Sequence, residues 1–129
     1  MSAVVLDSSA VLALMRREPG AAAVAAVLPG ALLGVVNLAE IIGKLRERGV
    51  PLAVARDAVA SLGVRIAEFT EQQALVVGEL RPLTRAGGLS LGDRACLALG
   101  RISGAPVLTT EAAWPQVADT AGVEIRVIR

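Results

Sequence analysis

Residues 89–99 read LSLGDRACLAL, and this segment predicts a helix that buries one face. Leu91 is the first of a series of apolar residues at helical spacing. Ser90 stands where an N-cap residue belongs, and Asp93 follows three residues later, which is the spacing of a capping box. Asp93 therefore has two explanations: it caps its own helix, or it belongs to a chemical site at the start of that helix.

The composition predicts one domain with a parallel sheet buried between helices. The chain has 129 residues, 54% of them hydrophobic, and Phe69 and Trp114 are the only aromatic residues. Ala, Val, Leu and Ile must therefore form the core, as they do in parallel sheets covered on both faces. The formal net charge is +1. With no global basic field, any binding of nucleic acid must come from local patches.

The missing residue types exclude several kinds of active site. The chain has no His and no Tyr, and Lys44 and Cys96 are the only residues of their types. These absences exclude a Ser-His-Asp or Cys-His mechanism and zinc sites built from His or several Cys. Cys96, on the apolar side of its helix, is expected to be a core residue in a reducing compartment. If the protein is an enzyme, carboxylates and a hard cation are the groups that remain for catalysis.

Strand and helix patterns alternate along the chain and predict an α/β fold. We expect a mainly parallel five-stranded sheet with helices on both faces, formed by a single domain over residues 1–129. No signal peptide or membrane span is predicted, so we expect a cytoplasmic protein. Asn37 is expected to cap the third helix, with Glu40 at its third position, and Pro115 to stop a short turn of helix. The predicted strands cover residues 3–6, 31–36, 64–67, 107–109 and 123–128.

Four acidic residues follow predicted strands or begin the helices after them: Asp7, Glu40, Asp93 and Glu111. Since the carboxyl ends of parallel strands share one edge of the sheet, these side chains are expected to meet there. Carboxylates crowded without counter-charges require a cation, and oxygen ligands suit Mg²⁺ or Mn²⁺. The alternative is that each acid caps a helix, as helix dipoles favour.

Basic residues near these acids are candidates for contacts with phosphates. Lys44 and Arg48 follow Glu40 at steps of four residues. They either form a solvated pair with Glu40 or contact a nucleic-acid backbone beside it. Further candidates for such contacts are Arg81, Arg85 and Arg94.

Four segments together resemble the PIN-domain proteins, specifically the VapC-type toxin ribonucleases of type II toxin–antitoxin pairs. The segments are residues 5–10 (VLDSSA), 37–40 (NLAE), 89–96 (LSLGDRAC) and 108–114 (LTTEAAW). Each is weak alone, but four in order over the whole chain make a specific resemblance.

The resemblance implies Mg²⁺- or Mn²⁺-dependent cleavage of RNA, a homodimer, and inhibition by a VapB-type antitoxin. Asp7, Glu40 and Asp93 would be catalytic and metal-binding, with Glu111 as the fourth acid. That fourth acid is more usually Asp, so Glu111 would bind the metal directly or through water. A degenerate scaffold that binds RNA or an antitoxin without cleavage is the alternative. Residues implied to contact the substrate are Ser8, Lys44, Arg48, Arg94 and Thr109.

Overall fold

The structure, a computed structural model, describes residues 3–84 and 88–129. Within these ranges the strands are β1 (Val5–Leu6), β2 (Leu32–Gly34), β3 (Arg65–Ala67), β4 (Val107–Thr109) and β5 (Ile125–Val127). The α-helices are α1 (Ser8–Met15), α2 (Ala21–Val27), α3 (Val35–Glu47), α4 (Leu52–Ala60), α5 (Glu71–Thr84), α6 (Leu91–Ser103) and α7 (Ala118–Ala121). None of the described helices is both long and apolar enough to cross a bilayer.

The five strands form one sheet in the order β3-β2-β1-β4-β5, and every neighbouring pair is parallel. Val5 in the central strand β1 lies opposite Leu32 on one side and Val107 on the other. The chain moves from β1 outward to β2 and β3, and later returns to the other side of β1. The strand order therefore reverses beside the carboxyl end of β1, where open parallel sheets bind ligands.

Alternate residues of β1 enter two different cores, as the period of two in a strand requires. Leu6 packs on one side of the sheet with residues of α1, α2, α3 and α4. Val5 packs on the other side with α5 and α6, where Cys96 and Trp114 are buried. The predicted α/β class, with five strands and helices on both faces, is confirmed, as is the burial of Cys96.

The capping box predicted at the start of α6 is present. Ser90 Oγ accepts a hydrogen bond of 3.1 Å from the Asp93 N–H, and Asp93 Oδ2 accepts one of 2.9 Å from the Ser90 N–H. The expectation that Leu91 faces inward is wrong, because its side chain is 57% exposed. In the first turn of α6, the residues that face the protein are Gly92 and Arg94 instead.

Two predicted helix boundaries are wrong. Asn37 does not cap α3, which begins at Val35 with Gly34 as its N-cap residue. The apolar residues of that boundary resemble a strand in sequence, but Val36 packs on α5 and α6, so tertiary contacts outweigh local preference. Pro115 does not stop a helix but lies near the start of a 3-10 turn, Trp114–Val117, where its missing N–H leaves no bond unmade.

Candidate active site

Asp7 follows β1 directly and is almost completely buried, with 4% of its surface exposed. It occupies the N-cap position of α1, yet its side chain makes no capping hydrogen bond. Its Oδ2 atom instead accepts bonds of 2.6 Å from Ser9 Oγ and 3.0 Å from Thr109 Oγ1. Two hydroxyls from different segments thus hold this carboxylate, and helix capping does not explain it.

The buried position of Asp7 changes its acidity. Burial disfavours the charged form and raises its pKa from 3.8 to about 6, against the opposing effect of the Ser9 and Thr109 hydroxyls. The negative charge of Asp93 raises the pKa further. Within residues 3–84 and 88–129, the salt bridges are Arg56–Asp57, Arg101–Glu79 and Arg126–Glu124, so none of them neutralises Asp7.

Glu40 reaches the same region from the second turn of α3. Its Oε1 atom accepts hydrogen bonds of 2.7 Å from Ser8 Oγ and 2.9 Å from Asn37 Nδ2. The carboxylate also lies against Gly92 so closely that a Cβ atom there would overlap with it. Glu40 is therefore held between Ser8 at the start of α1 and Gly92 in the first turn of α6. Gly92 directly precedes Asp93 in the chain.

The three acids also affect the buried thiol of Cys96. Burial raises its pKa most, and the charges of Asp7, Asp93 and Glu40 each raise it further. All three negative charges therefore disfavour the thiolate of one buried group in the second turn of α6. Of the three, only Asp93 caps a helix. Of the four acids expected to meet, Asp7, Glu40 and Asp93 are thus linked through neighbouring residues at the starts of α1 and α6.

Glu111, the fourth expected acid, differs from these three acids in its exposure. It is exposed, and it lies just after β4 in an irregular segment. Its backbone N–H donates a 3.1 Å hydrogen bond to Thr109 Oγ1, the same hydroxyl that holds Asp7. Glu111 is thus connected to the site through its main chain.

The donor chemistry of the site fits a hard divalent cation. Carboxylate oxygens are the ligands that Mg²⁺ and Mn²⁺ prefer, and Asp7 is a buried acid without a counter-charge in the described part of the chain. In residues 3–84 and 88–129, no three acidic or cysteine side chains already stand close enough to enclose an ion. The residues that would hold a cation are Asp7, Glu40 and Asp93.

The expected substrate contacts fall into two groups. Lys44 and Arg48 are exposed at the C-terminal half and end of α3, and Lys44 forms no salt bridge with Glu40 among the described residues. Arg94 differs from the expectation, because it is buried and donates a 3.0 Å hydrogen bond to the Val77 carbonyl oxygen of α5. A guanidinium held there supports helix packing rather than a contact with substrate.

Ser8 and Thr109 are also buried, and each donates to a carboxylate of the site. Their observed contacts are thus with the acids. Among the remaining arginines, Arg81 is exposed on α5, and Arg85 lies outside the described residues.

Sequence reasoning missed three residues that shape the site: Ser9, Asn37 and Gly92. Ser9 and Asn37 bond directly to Asp7 and Glu40, and Gly92 leaves room for Glu40. Only the glycine carried a local signal, since a glycine in the first turn of a helix is unfavourable unless something needs its missing side chain.

The PIN domain family matches residues 4–120, and the chain belongs to that family. No curated protein sequence matches the chain significantly. Solved structures show the same fold at low sequence identity. VapBC2 from Rickettsia felis, bound to a DNA fragment from its promoter, has 13% identity and a TM-score of 0.75, with 98% of each chain covered.

Two further structures agree with this comparison. VapBC-1 from nontypeable Haemophilus influenzae has 19% identity and a TM-score of 0.72, with 96% of each chain covered. VapBC-5 from Mycobacterium tuberculosis, a member of the VapBC family of toxin–antitoxin systems, has 19% identity and a TM-score of 0.64, with 98% of this chain and 99% of that chain covered.

Proposed function

We propose that this protein is a Mg²⁺- or Mn²⁺-dependent endoribonuclease that acts as the toxin of a toxin–antitoxin pair. One observation carries the proposal. Asp7 is buried with no salt bridge in the described part of the chain, and Glu40 bonds to Ser8, next to Asp7, while it lies against Gly92, next to Asp93. Burying an unpaired carboxylate beside two other acids destabilises a fold, so an arrangement of this kind is characteristic of a site that binds a cation.

Each acid has a separate part in the proposed reaction. Asp7, held by two hydroxyls, would be the fixed ligand at the bottom of the site. Glu40 and Asp93 would complete the set of ligands, and Glu111 would act from the exposed side. When bound, the cation makes a water molecule more acidic and neutralises charge on the phosphodiester. Lys44 and Arg48, both exposed, would contact the RNA backbone next to the acids.

The experiment is cleavage of a panel of structured RNAs by the purified protein with Mg²⁺, with Mn²⁺ and with chelator. The parent should cleave only with metal, and Asp7→Asn should not cleave. Glu71→Gln is the matched control, because Glu71, like Asp7, is an acid at the start of a helix, but it belongs to α5. Full activity of a folded Asp7→Asn protein would contradict the assignment. A parent that binds RNA but cleaves none of the panel would indicate the degenerate scaffold instead.

We further propose a homodimer and a cognate VapB-type antitoxin as partners. The support is the family and fold, together with large apolar side chains exposed to solvent on several elements: Leu52, Val54, Ile66, Leu75 and Leu91. Light scattering at micromolar concentration, alone and with the product of an adjacent small gene, tests both partners. A protein that stays monomeric under both conditions would contradict this part of the proposal.

A further inference from the structure

We propose that Asn37 is a positioning residue that fixes the Glu40 carboxylate and ties together the three segments that carry the acids. This inference deepens the proposed function and rests on it for its purpose. The amide nitrogen Nδ2 of Asn37 lies 2.9 Å from Glu40 Oε1, 3.2 Å from Ser8 Oγ and 3.2 Å from the Gly92 carbonyl oxygen.

Each hydrogen-bond partner of this amide is either an acid of the site or the residue next to one in the chain. Glu40 is itself one of the acids, Ser8 follows Asp7, and Gly92 precedes Asp93. Asn37 is therefore a single buried group that bonds to all three segments. Ser8 strengthens the arrangement, because its hydroxyl donates to the same Glu40 oxygen at 2.7 Å.

The chemistry of these partners requires a side chain that donates hydrogen bonds. Glu40 Oε1 and the Gly92 carbonyl oxygen only accept, so an amide NH₂ serves both, whereas a carboxylate of the same shape serves neither. One hydrogen of Nδ2 can reach Glu40 while the other is shared between Ser8 and Gly92. The two bonds to Oε1, from Ser8 and Asn37, fix one oxygen of Glu40 and with it the direction of the whole carboxylate.

Burying the Asn37 side chain costs free energy, so packing alone does not explain why Asn is at this position. Asn37 is 1% exposed, and its Oδ1 atom is buried with no hydrogen-bond partner in the described part of the chain. An unpaired buried oxygen destabilises the fold, and an apolar residue at this position would avoid that loss. The donors of Asn37, rather than its volume, therefore account for its presence beneath Glu40.

The first test measures Mn²⁺ affinity by electron paramagnetic resonance of the free ion, without any RNA. Asn37→Leu should bind Mn²⁺ about 10–100-fold more weakly than the parent, as is typical when a group that orients a metal ligand is lost. Asn37→Ala is measured alongside and carries the same test if Asn37→Leu does not fold. The control is Thr84→Val, which removes a buried 2.7 Å hydrogen bond to the Leu80 carbonyl oxygen in α5. It should lower Tm but leave Mn²⁺ affinity unchanged.

The second test needs no metal and separates this inference from the proposed function. Melting temperatures are compared in chelator for the parent, Asn37→Ala, Glu40→Ala and the double variant. If Asn37 holds Glu40, the two changes in Tm will not add in the double variant.

The outcomes divide as follows. Unchanged Mn²⁺ affinity in both Asn37 variants, or additive changes in Tm, would overturn the positioning role. A parent that binds no Mn²⁺ would overturn the proposed function, and the double variant alone would then decide whether Asn37 positions Glu40.

Discussion

Thr109, the last residue of β4, donates a hydrogen bond of 3.0 Å to Oδ2 of Asp7, the residue that follows β1. The two residues are 102 positions apart in the chain and meet because β1 and β4 are parallel neighbours. Ser9 Oγ lies 3.2 Å from Thr109 Oγ1 and also donates to Asp7. This group of hydroxyls allows a carboxylate to stay charged in a buried position, and several consequences of that arrangement can be measured.

The first prediction concerns the pH dependence of stability. The pKa of Asp7 is 3.8 ordinarily and about 6 when folded. Between these values the folded state binds more protons than the unfolded state, so Asp7 lowers the free energy of unfolding as pH rises from about 4 to 6. In chelator at pH 7, the free energy of unfolding of Asp7→Asn should exceed that of the parent by about 2–3 kcal/mol, because a shift of about two pKa units corresponds to that amount. Urea unfolding at pH 4 and pH 7 checks this, since the difference should fall below about 1 kcal/mol at pH 4.

The second prediction separates metal binding from helix capping. A cation that binds only the folded state stabilises it by mass action, so the parent should melt at a higher temperature as Mg²⁺ or Mn²⁺ is added. Asp7→Asn should lose this response, whereas Glu71→Gln should keep it. Thermal melts in chelator and in metal make the comparison. A parent that is indifferent to metal, with an Asp7→Asn variant that melts lower in chelator, would return the acids to a capping role.

The third prediction concerns Gly92. Replacing glycine by alanine inside a helix ordinarily stabilises a protein by about 0.5–1 kcal/mol. Gly43→Ala should show this gain, because an added Cβ at Gly43 in α3 meets nothing within 4 Å. Gly92→Ala should instead displace the Glu40 carboxylate and reduce both metal affinity and RNA cleavage. Melting temperatures and Mn²⁺ titrations of the two variants test this prediction. Equal changes in Tm and in Mn²⁺ affinity for both variants would contradict the close packing of Gly92 and Glu40.

The fourth prediction ranks the acids. Asp93→Asn retains an oxygen that can cap α6, so its effect reports the loss of charge rather than the loss of the cap. We expect it to lower the rate of RNA cleavage by more than about 100-fold, and Glu111→Gln by about tenfold, the size of effect seen for outer partners of a metal site. Rates at saturating metal measure both. Equal losses would mean that Glu111 coordinates the metal directly.

The fifth prediction concerns the basic residues of α3. If Lys44 and Arg48 contact phosphates, Lys44→Ala and Arg48→Ala should weaken RNA binding and reduce its dependence on salt. Arg65→Ala is the control, because Arg65 is exposed on the edge strand β3. Binding to a non-cleaved RNA in chelator, at several salt concentrations, measures the effect. A salt dependence that falls only in Arg65→Ala would move the RNA-binding surface from α3 to the edge strand β3.

Local sequence determined the features that depend on neighbouring residues. The capping box of Ser90 and Asp93 joins residues three positions apart, and the apolar run that ends before Asp7 is short and continuous, so both could be recognised without knowledge of the fold. The order of strands and helices further predicted that acids at strand ends share one edge of the sheet.

Only the tertiary structure decided which polar groups surround the acids. Asn37 has the local signature of a cap, yet its amide bonds to Ser8, 29 residues away, and to Gly92, 55 residues away. Arg94 stands beside Asp93 in sequence but turns to Val77 of α5. Such contacts depend on how the helices pack on the sheet. Because burying an unpaired polar group costs free energy, each buried polar group bonds to whichever partners this packing brings near it. The spacing of residues along the chain therefore does not predict these hydrogen-bond partners.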